Sequence, residues 1–296
     1  MRGVVTLVAI GLSSPAFAGD PKFEFTKPDP KSDPAAVEWK STAEAGVLFT
    51  TGNSETSTVI VGFKASRKAG KHKLSLEGLV AYARSSTRVL DDLDGDGLIS
   101  SEAEISSATL TTAETLAAKA RYDRFLTEHN TLFAALLASR DVPAGKDLVV
   151  GGQLGYSRLL HKTKTSEVVG EFGYDFSRED LASADPVAIH SARGFLGAKS
   201  TLSPGVEADG SIELLSNLNR ETLPTLRDTR SFEDTRINGH ASISAKVGKS
   251  LAVQTAFDVK YDHRPGPLAI KSLAPGFVPE ATALDSIVKA SLIYTF

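Results

Sequence analysis

The segment from residue 89 to 104, VLDDLDGDGLISSEAE, concentrates acidic side chains at a spacing suited to a divalent cation. A calcium loop of the EF-hand type takes oxygen ligands from alternate positions and has glycine at the sixth position for a sharp turn. Gly97 occupies that sixth position when the count starts at Asp92. The predicted ligands are Asp92, Asp94, Asp96, the Leu98 carbonyl, Ser100 and Glu102. The first half of the loop therefore predicts calcium binding.

The closing ligand of such a loop is displaced. Position twelve, where a bidentate glutamate belongs, is Ala103, with Glu102 and Glu104 on either side, and no helix signal surrounds the loop. The expected site is weak, with a dissociation constant of about 0.1 to 1 mM as in extracellular modules. The alternative is an acidic, solvated loop tip without metal. Bound calcium would order the loop, which is a stabilising role and not a catalytic one.

The elements that carry this loop are predicted by an alternation of apolar and polar side chains, which is typical of β-strands with one apolar face. The clearest strands begin near residues 39, 58, 73, 167, 206, 236, 251 and 288. Weaker matches cover 110–124, 131–140, 148–160 and 187–202, and the periodicity of 131–140 fits a short helix equally well. The sequence predicts about twelve strands, with an uncertainty of two.

The connections between these strands alternate in length. Short turns fall near Gly70, at 128–130, at 161–164, at 203–205 and at 248–249. Long polar links occupy 87–107, 141–147, 178–187, 218–231 and 264–282, and the short link at 52–55 is the exception. Short periplasmic turns and longer extracellular loops are typical of outer-membrane barrels. This pattern predicts that both ends of the mature chain lie in the periplasm.

Alternation alone also fits a soluble β-sandwich, in which the apolar faces of two sheets form the core. Strand length favours a membrane barrel, because strands of about ten to fourteen residues exceed the globular average of about five or six. Aromatic residues near strand ends and the terminal Phe296 also favour it. A terminal aromatic on a closing strand resembles the signal by which the bacterial barrel assembly machinery recognises its clients. The predicted fold is all-β, an antiparallel transmembrane β-barrel.

In such a barrel the charged face of each strand lines the lumen. The predicted lumen acids are Glu77, Glu167, Glu171, Asp175, Glu207, Asp209, Glu213 and Asp258. The predicted lumen bases are Lys40, Lys64, Lys119, Arg121, Arg193, Lys199, Arg236, Lys246, Lys260 and Lys289. These charges either select solutes in an open pore or pair with one another and fill the lumen, and twelve strands is a size that fits both.

His240 and Ser242 share the polar face of one predicted strand. Outer-membrane lipases use a serine and a histidine at the lipid-facing surface of a barrel, whereas the register here points both side chains inward. Since a catalytic triad is recognised by geometry and not by composition, we expect no enzymatic activity.

The two ends of the sequence bound the folded region. Residues 1–18 combine a basic start, an apolar core and an Ala16-Phe17-Ala18 ending, which predicts a cleaved signal peptide. Residues 19–37 contain four prolines and many charges, which predicts a disordered periplasmic lead-in to a barrel over 38–296. The chain has no cysteine and a net charge of −3, which excludes disulfides and leaves no electrostatic footprint for nucleic acid.

The first predicted hairpin carries a recognisable pattern. Trp39 opens the strand, Gly46-Val47-Leu48 follows, and residues 50–56, TTGNSET, lead directly into the second strand. This hairpin resembles the start of the salt-induced outer membrane protein family, an uncharacterised family of bacterial outer-membrane β-barrels. The resemblance implies location in the outer membrane of a Gram-negative bacterium and supplies no catalytic residues, and the aspartate loop departs from the family pattern.

Together these observations predict a monomeric outer-membrane barrel that contacts outer-membrane lipid and, during biogenesis, the barrel assembly machinery. The predicted role is a passive pore for small solutes in envelope or osmotic adaptation. A structural or surface-binding barrel with a filled lumen and a secreted soluble β-protein are the alternatives.

Overall fold

The structure, a computed structural model, describes residues 37–50, 54–90, 105–141, 145–181, 184–223, 227–265 and 282–296. Within these ranges twelve long strands form a closed barrel. They are β1 (Val37–Thr50), β2 (Ser54–Ala69), β3 (His72–Leu90), β4 (Ile105–Phe125), β5 (Asn130–Asp141), β6 (Lys146–Lys162), β7 (Ser166–Leu181), β8 (Ala184–Ser203), β9 (Val206–Asn217), β12 (Thr235–Lys246), β13 (Leu251–Asp262) and β14 (Leu284–Thr295). A separate short hairpin comprises β10 (Glu221–Leu223) and β11 (Arg227–Thr229). The prediction of an all-β barrel with about twelve strands is confirmed.

Each barrel strand pairs antiparallel with its neighbour in the chain, except that β9 pairs with β12 across the short hairpin. The two ends of the barrel sequence close the sheet, because Ala43 of β1 is in register with Tyr294 of β14. The Phe296 amide also donates a hydrogen bond to the Ser41 carbonyl at 3.2 Å. Closure leaves no barrel strand with an unpaired edge.

Within the described residues, no helix has the length and apolar character needed to cross a membrane.

The alternation of side chains fixes which face of the sheet is outside. Outward positions carry large apolar side chains that remain exposed, such as Val47 at 66%, Phe172 at 66% and Val288 at 74%. Inward positions carry polar side chains that are buried, such as Thr131 at 1% and Arg193 at 3%. The barrel therefore has an apolar exterior and a polar interior, the reverse of a soluble sandwich.

The ambiguous segment 131–140 is strand β5, so the strand prediction is confirmed and the alternative of a short helix is wrong. Its inward residues Phe133 and Ala135 are buried, while Leu132 and Leu136 on the other face are exposed. A strand that is apolar on both faces lacks a clear period of two, which is why the sequence pattern did not separate strand from helix.

The long link predicted at 178–187 is also wrong. Strand β7 continues to Leu181 and β8 begins at Ala184, with Glu179 in register with Val187. Glu179 faces inward and is 5% exposed, so its charge belongs to the lumen and not to a loop. Of the predicted link 218–231, residues 221–223 and 227–229 form the short hairpin.

The predicted signal peptide and most of the predicted lead-in lie outside the described residues. The predicted calcium ligands at 92–102 also lie outside them, between the end of β3 and the start of β4. These predictions stay predictions.

Two glycines allow β6 and β7 to approach closely. Gly155 of β6 and Gly173 of β7 are in register. A Cβ added at Gly173 would lie 2.3 Å from the Leu154 carbonyl oxygen and 2.8 Å from the Gly155 Cα. Both distances are far below van der Waals contact with backbone, so any side chain at Gly173 would force the two strands to move.

We expect Gly173→Ala to lower the free energy of unfolding by about 1 to 3 kcal/mol, the usual cost of overpacking. Gly78→Ala on β3 is the matched control, because a Cβ there would have no neighbour within 4 Å. Urea unfolding followed by circular dichroism measures both changes. Equal stability of the two variants would contradict the close approach of β6 and β7.

Candidate functional site in the barrel lumen

The central feature of the lumen is a row of inward residues from adjacent strands. Strand register places Phe133 of β5 beside Gly155 of β6, Gly155 beside Gly173 of β7, and Gly173 beside Arg193 of β8. Antiparallel neighbours lie about 5 Å apart, so this row crosses the wall perpendicular to the strands. Long side chains can therefore reach one another across it.

Four charged side chains form a continuous network along this row, which we call the Arg–Glu ladder: Arg121, Glu171, Arg193 and Glu213. Arg121 donates to both Glu171 oxygens, at 2.7 and 3.1 Å. Arg193 donates to Glu171 at 2.8 Å and to Glu213 at 2.6 Å. Such charge-assisted bonds, one of them bidentate, fix both position and orientation.

Neighbouring groups complete the ladder at its two ends. Arg121 also donates to Asp123 on its own strand, with contacts of 2.8 to 3.1 Å. Asn238 of β12 donates to the second oxygen of Glu213 at 3.0 Å. The network thus extends from β4 to β12 and contains two guanidinium groups and three carboxylates.

An aromatic floor lies beneath the ladder. The Arg121 guanidinium is 4.1 Å from the centre of the Phe133 ring, and the Arg193 guanidinium is 5.3 Å from the centre of the Phe195 ring. A Cβ at Gly155 would lie 2.6 Å from the Phe133 ring, so glycine makes the space that the ring occupies. Cation–π contacts of this kind strengthen where water is excluded.

The ladder is nearly shielded from solvent. Side-chain exposure is 1% for Arg193, 4% for Glu171 and 7% for Glu213. Charges removed from water to this degree are stable only when each has a partner, since an unpaired buried charge is strongly unfavourable. The mutual pairing therefore stabilises the geometry of the ladder. Removal of any one member would leave a neighbouring buried charge without its partner.

A second cluster joins charges from more distant strands. Glu179 of β7 accepts from Arg236 of β12 at 2.6 Å and pairs with Lys146 of β6 at 2.9 Å. Arg236 also pairs with Asp234 at 3.2 Å. The turns that follow β2, β4, β6, β8 and β12 all lie at one end of the barrel, which we call the short-turn end. This cluster lies at the opposite end, where β7 ends and β12 begins.

A third cluster surrounds His240. Its Nδ1 lies 2.6 Å from Asp258, and its Nε2 lies 3.1 Å from Asp209. Asp209 accepts a hydrogen bond from Ser242 at 2.7 Å, and Asp258 pairs with Lys289 at 2.7 Å. Asp209 thus stands between the serine and the histidine, and both side chains point inward, as the sequence register predicted. This arrangement is that of an ion-pair network and not of a nucleophile with its base.

Asn217 holds the segment between β9 and β12. Its side-chain amide donates to the Asn219 and Arg230 carbonyls, both at 2.9 Å, and its side-chain oxygen accepts from the Asp234 amide at 2.9 Å. Asn217 is 1% exposed. The three hydrogen bonds of this buried asparagine side chain therefore hold residues 219, 230 and 234 against the end of β9.

The opposite wall of the lumen is more accessible, and we call it the open wall: the inward residues of β1, β2 and β3. Thr42, Lys64 and Glu77 are in register across these strands. Thr42 and Glu77 are partly exposed and Lys64 is exposed, whereas inward residues of β4, β5 and β8 are mostly buried. Water therefore reaches one side of the lumen while charged side chains and aromatic rings pack the other.

The structure brings together many of the charges that the sequence assigned to the lumen. Arg121, Glu171, Arg193 and Glu213 form the ladder. Asp209, Asp258 and Lys289 surround His240. Asp175 accepts from Gln153 at 2.8 Å, Lys199 pairs with Glu207 at 2.9 Å, and Glu167 pairs with Lys162 at 3.0 Å.

Sequence reasoning missed Asp123, Phe133 and Glu179. Asp123 lies two residues from Arg121 on the same face, so strict alternation would have found it. Glu179 was hidden by the predicted link, and Phe133 breaks the polar pattern of the inner face. Among the described residues, no group of three or more histidine or acidic side chains could hold a metal ion.

We expect Glu171→Ala to destabilise the barrel by about 3 to 5 kcal/mol, because Arg121 and Arg193 would then face each other without the carboxylate between them. Glu114→Ala is the control, since its pair with Arg140 at 3.6 Å joins half-exposed side chains and contributes less than about 1 kcal/mol. Urea titration of the folded protein gives both values. Similar losses in the two variants would contradict a structural role for the ladder.

Comparison with solved structures finds outer-membrane proteins that are similar over most of the chain. The NanC porin is 10% identical, with a TM-score of 0.45, and the match covers 87% of this chain and 99% of the porin. An outer membrane channel from Pseudomonas putida F1 is 12% identical, with a TM-score of 0.44, covering 92% of this chain and 100% of the channel. The translocator domain of the autotransporter NalP from Neisseria meningitidis is 14% identical, with a TM-score of 0.41, covering 88% of each chain.

The chain matches no curated protein sequence. The salt-induced name suggested by the first hairpin stays a prediction. A family of sequences described as "Protein of unknown function, DUF481" matches residues 43–272. This match spans most of the barrel, and the chain belongs to that family.

Proposed function

We propose that the chain is an outer-membrane β-barrel of a Gram-negative bacterium that passes small hydrophilic solutes along the open wall of its lumen. The observation that carries the proposal is the inverted distribution of side chains around a closed sheet. Large apolar residues cover the outside and charged residues line the inside. Membrane-spanning barrels require this distribution, because lipid cannot satisfy polar groups and the lumen can.

Aromatic residues at the short-turn end support the membrane assignment. Trp39, Tyr294 and Phe296 are exposed on the outer surface there, at 69%, 47% and 76%. Aromatic girdles of this kind lie at the membrane interface of outer-membrane barrels. The short turns then lie on the periplasmic side.

The open wall supports the pore assignment. Lys64 is exposed although it points into the lumen, and Glu44 and Glu77 beside it are partly exposed. Side chains of both signs thus meet water along β1 to β3. A path lined in this way admits hydrated solutes and discriminates among ions by local charge.

A second candidate is a barrel with a filled lumen and a structural or surface-binding role. The dense packing of the ladder wall favours it, since Thr131 and Ile189 point inward with 1% and 2% exposure. Calcium binding at 92–102, the absence of enzymatic activity and the monomeric state stay predictions.

Membrane insertion predicts a strong effect of charge on the outer face. We expect Val288→Arg to lower the stability of the folded protein in phospholipid vesicles by about 2 to 4 kcal/mol, the cost of arginine near the bilayer midplane. Val247→Arg makes the same change in the short turn between β12 and β13, where Val247 is 60% exposed and the cost is about 0 to 1 kcal/mol. Urea unfolding in vesicles measures the difference. Tolerance of Val288→Arg would favour the soluble alternative.

The pore assignment predicts steady single-channel conductance in a planar bilayer. Reversing the charge at Lys64 should raise the permeability of cations relative to anions by up to about fivefold, the factor for about 1 kcal/mol in a water-like medium. Lys249→Glu in the turn after β12 makes the same charge change outside the lumen and should leave the reversal potential nearly unchanged. Silence from well-inserted protein would support the filled barrel.

A further inference from the structure

The outer face of the barrel carries an apolar groove of about 510 Å³ across β3 to β7. Its floor consists of small residues on three adjacent strands, Ala120, Ala134 and Gly152. Larger side chains form its walls, including Tyr122, Leu136 and Tyr174. The strip of alanine and glycine between these larger side chains leaves a depression along which a chain of methylene groups can lie.

Two arginines lie on the outer face at the short-turn end of this groove. Arg124 follows Tyr122 by two residues on β4, and Arg158 follows Leu154 by four residues on β6, so both share the outward face with the groove. Both side chains are exposed. Within the part of the chain that the structure describes, neither guanidinium forms an ion pair.

Strand register gives the spacing of the two arginines. Arg124 is in register with Leu132 of β5, and Leu132 with Tyr156 of β6, two residues from Arg158. Two strand spacings separate β4 from β6, which is about 10 Å, and the offset of two residues along the strand adds about 7 Å at right angles, so the Cα atoms of the two arginines lie about 12 Å apart. Arginine recognises phosphate through paired hydrogen bonds, so a phosphate group at this rim can be contacted by both side chains.

We propose that this surface is a binding site for one phospholipid of the leaflet on the short-turn side. An acyl chain occupies the groove, and Arg124 and Arg158 hold the phosphate. The proposal rests on the proposed membrane location, because only then does the groove face lipid. The occupant is set by complementarity: two exposed guanidinium groups lie beyond the short-turn end of an apolar groove, and a phospholipid joins an apolar chain to an anionic group in the same order.

The test uses the full chain refolded in a non-ionic detergent, with phosphatidylglycerol as the probe and native mass spectrometry as the measurement. The expected result is one retained phosphatidylglycerol per barrel. Diacylglycerol, which has the chains without the phosphate, should bind more weakly. Glycerol phosphate, which has the phosphate without the chains, should not be retained.

Groove filling tests the acyl-chain part of the site. Gly152→Leu should abolish retention, and its Cβ fits because its nearest neighbours lie at 3.6 and 4.0 Å. Gly194→Leu is the matched control on β8, where a Cβ has no neighbour within 4 Å and which contributes no residue to the lining of the groove. The control should retain lipid as the unmodified protein does.

Charge removal tests the phosphate part. Arg124→Gln and Arg158→Gln should each weaken phosphatidylglycerol binding about fivefold, the contribution of one basic residue near an anionic lipid surface. Diacylglycerol binding should not change in these variants. Arg84→Gln, at the opposite end of β3, is the control and should leave both lipids unaffected.

Equal retention by the unmodified protein, Gly152→Leu and the arginine variants would overturn the lipid site. A dimer that forms with the unmodified protein and is absent with Gly152→Leu would also overturn the lipid site, because the groove would then bind a second copy of the chain. Resistance to carbonate extraction from vesicles separates this result from a failure of the membrane assignment. If the protein resists carbonate extraction but binds lipid without selectivity, only the lipid site is contradicted. If carbonate removes the protein from vesicles, both the lipid site and the membrane assignment are contradicted.

Discussion

Closure of the sheet between β1 and β14 is the constraint on which the other features of the molecule depend. The first and last barrel strands meet through pairs such as Ala43 with Tyr294, so every barrel strand has two hydrogen-bonded neighbours. An open edge would leave a row of backbone donors and acceptors unpaired, which a hydrocarbon environment does not tolerate. Closure also separates a lumen from an exterior, because alternate side chains of each strand then point into the barrel and out of it.

Confinement of one face inside the tube explains the charge networks. Polar side chains excluded from the apolar exterior meet in a lumen of limited volume, where water is partly displaced. Arg121 and Glu171 belong to strands separated by two others, and they still form a bidentate pair across Phe133 and Gly155. Small residues such as Gly155 make these long-range contacts possible, since any larger side chain there would collide with the aromatic floor.

The sequence predicted the strands and the direction of most charged side chains because both follow from the period of two. The sequence did not predict which charged side chains pair with one another. Glu171 could pair with any inward base at a similar position along the barrel axis, and that position depends on strand register around the whole barrel. Strand β5 was ambiguous since Phe133 makes its inner face apolar. The link at 178–187 was predicted wrongly because a charged residue such as Glu179 is typical of a loop. Its partner in the lumen is Arg236, which is distant in the sequence. Both failures arise from tertiary contacts that override a local pattern.

The difference between the two walls of the lumen links packing to function. The ladder spans β4 to β9 on an aromatic floor, and its bidentate and shared hydrogen bonds leave Arg193 and Glu171 almost no exposure. Side chains held in this way lie along the wall instead of extending across the lumen. The inward residues of β1 to β3 face them with greater exposure, as at Thr42, Lys64 and Glu77. Pairing of charges on one wall therefore leaves solvent space beside the other, so the contacts that stabilise the barrel also determine which side of the lumen water reaches.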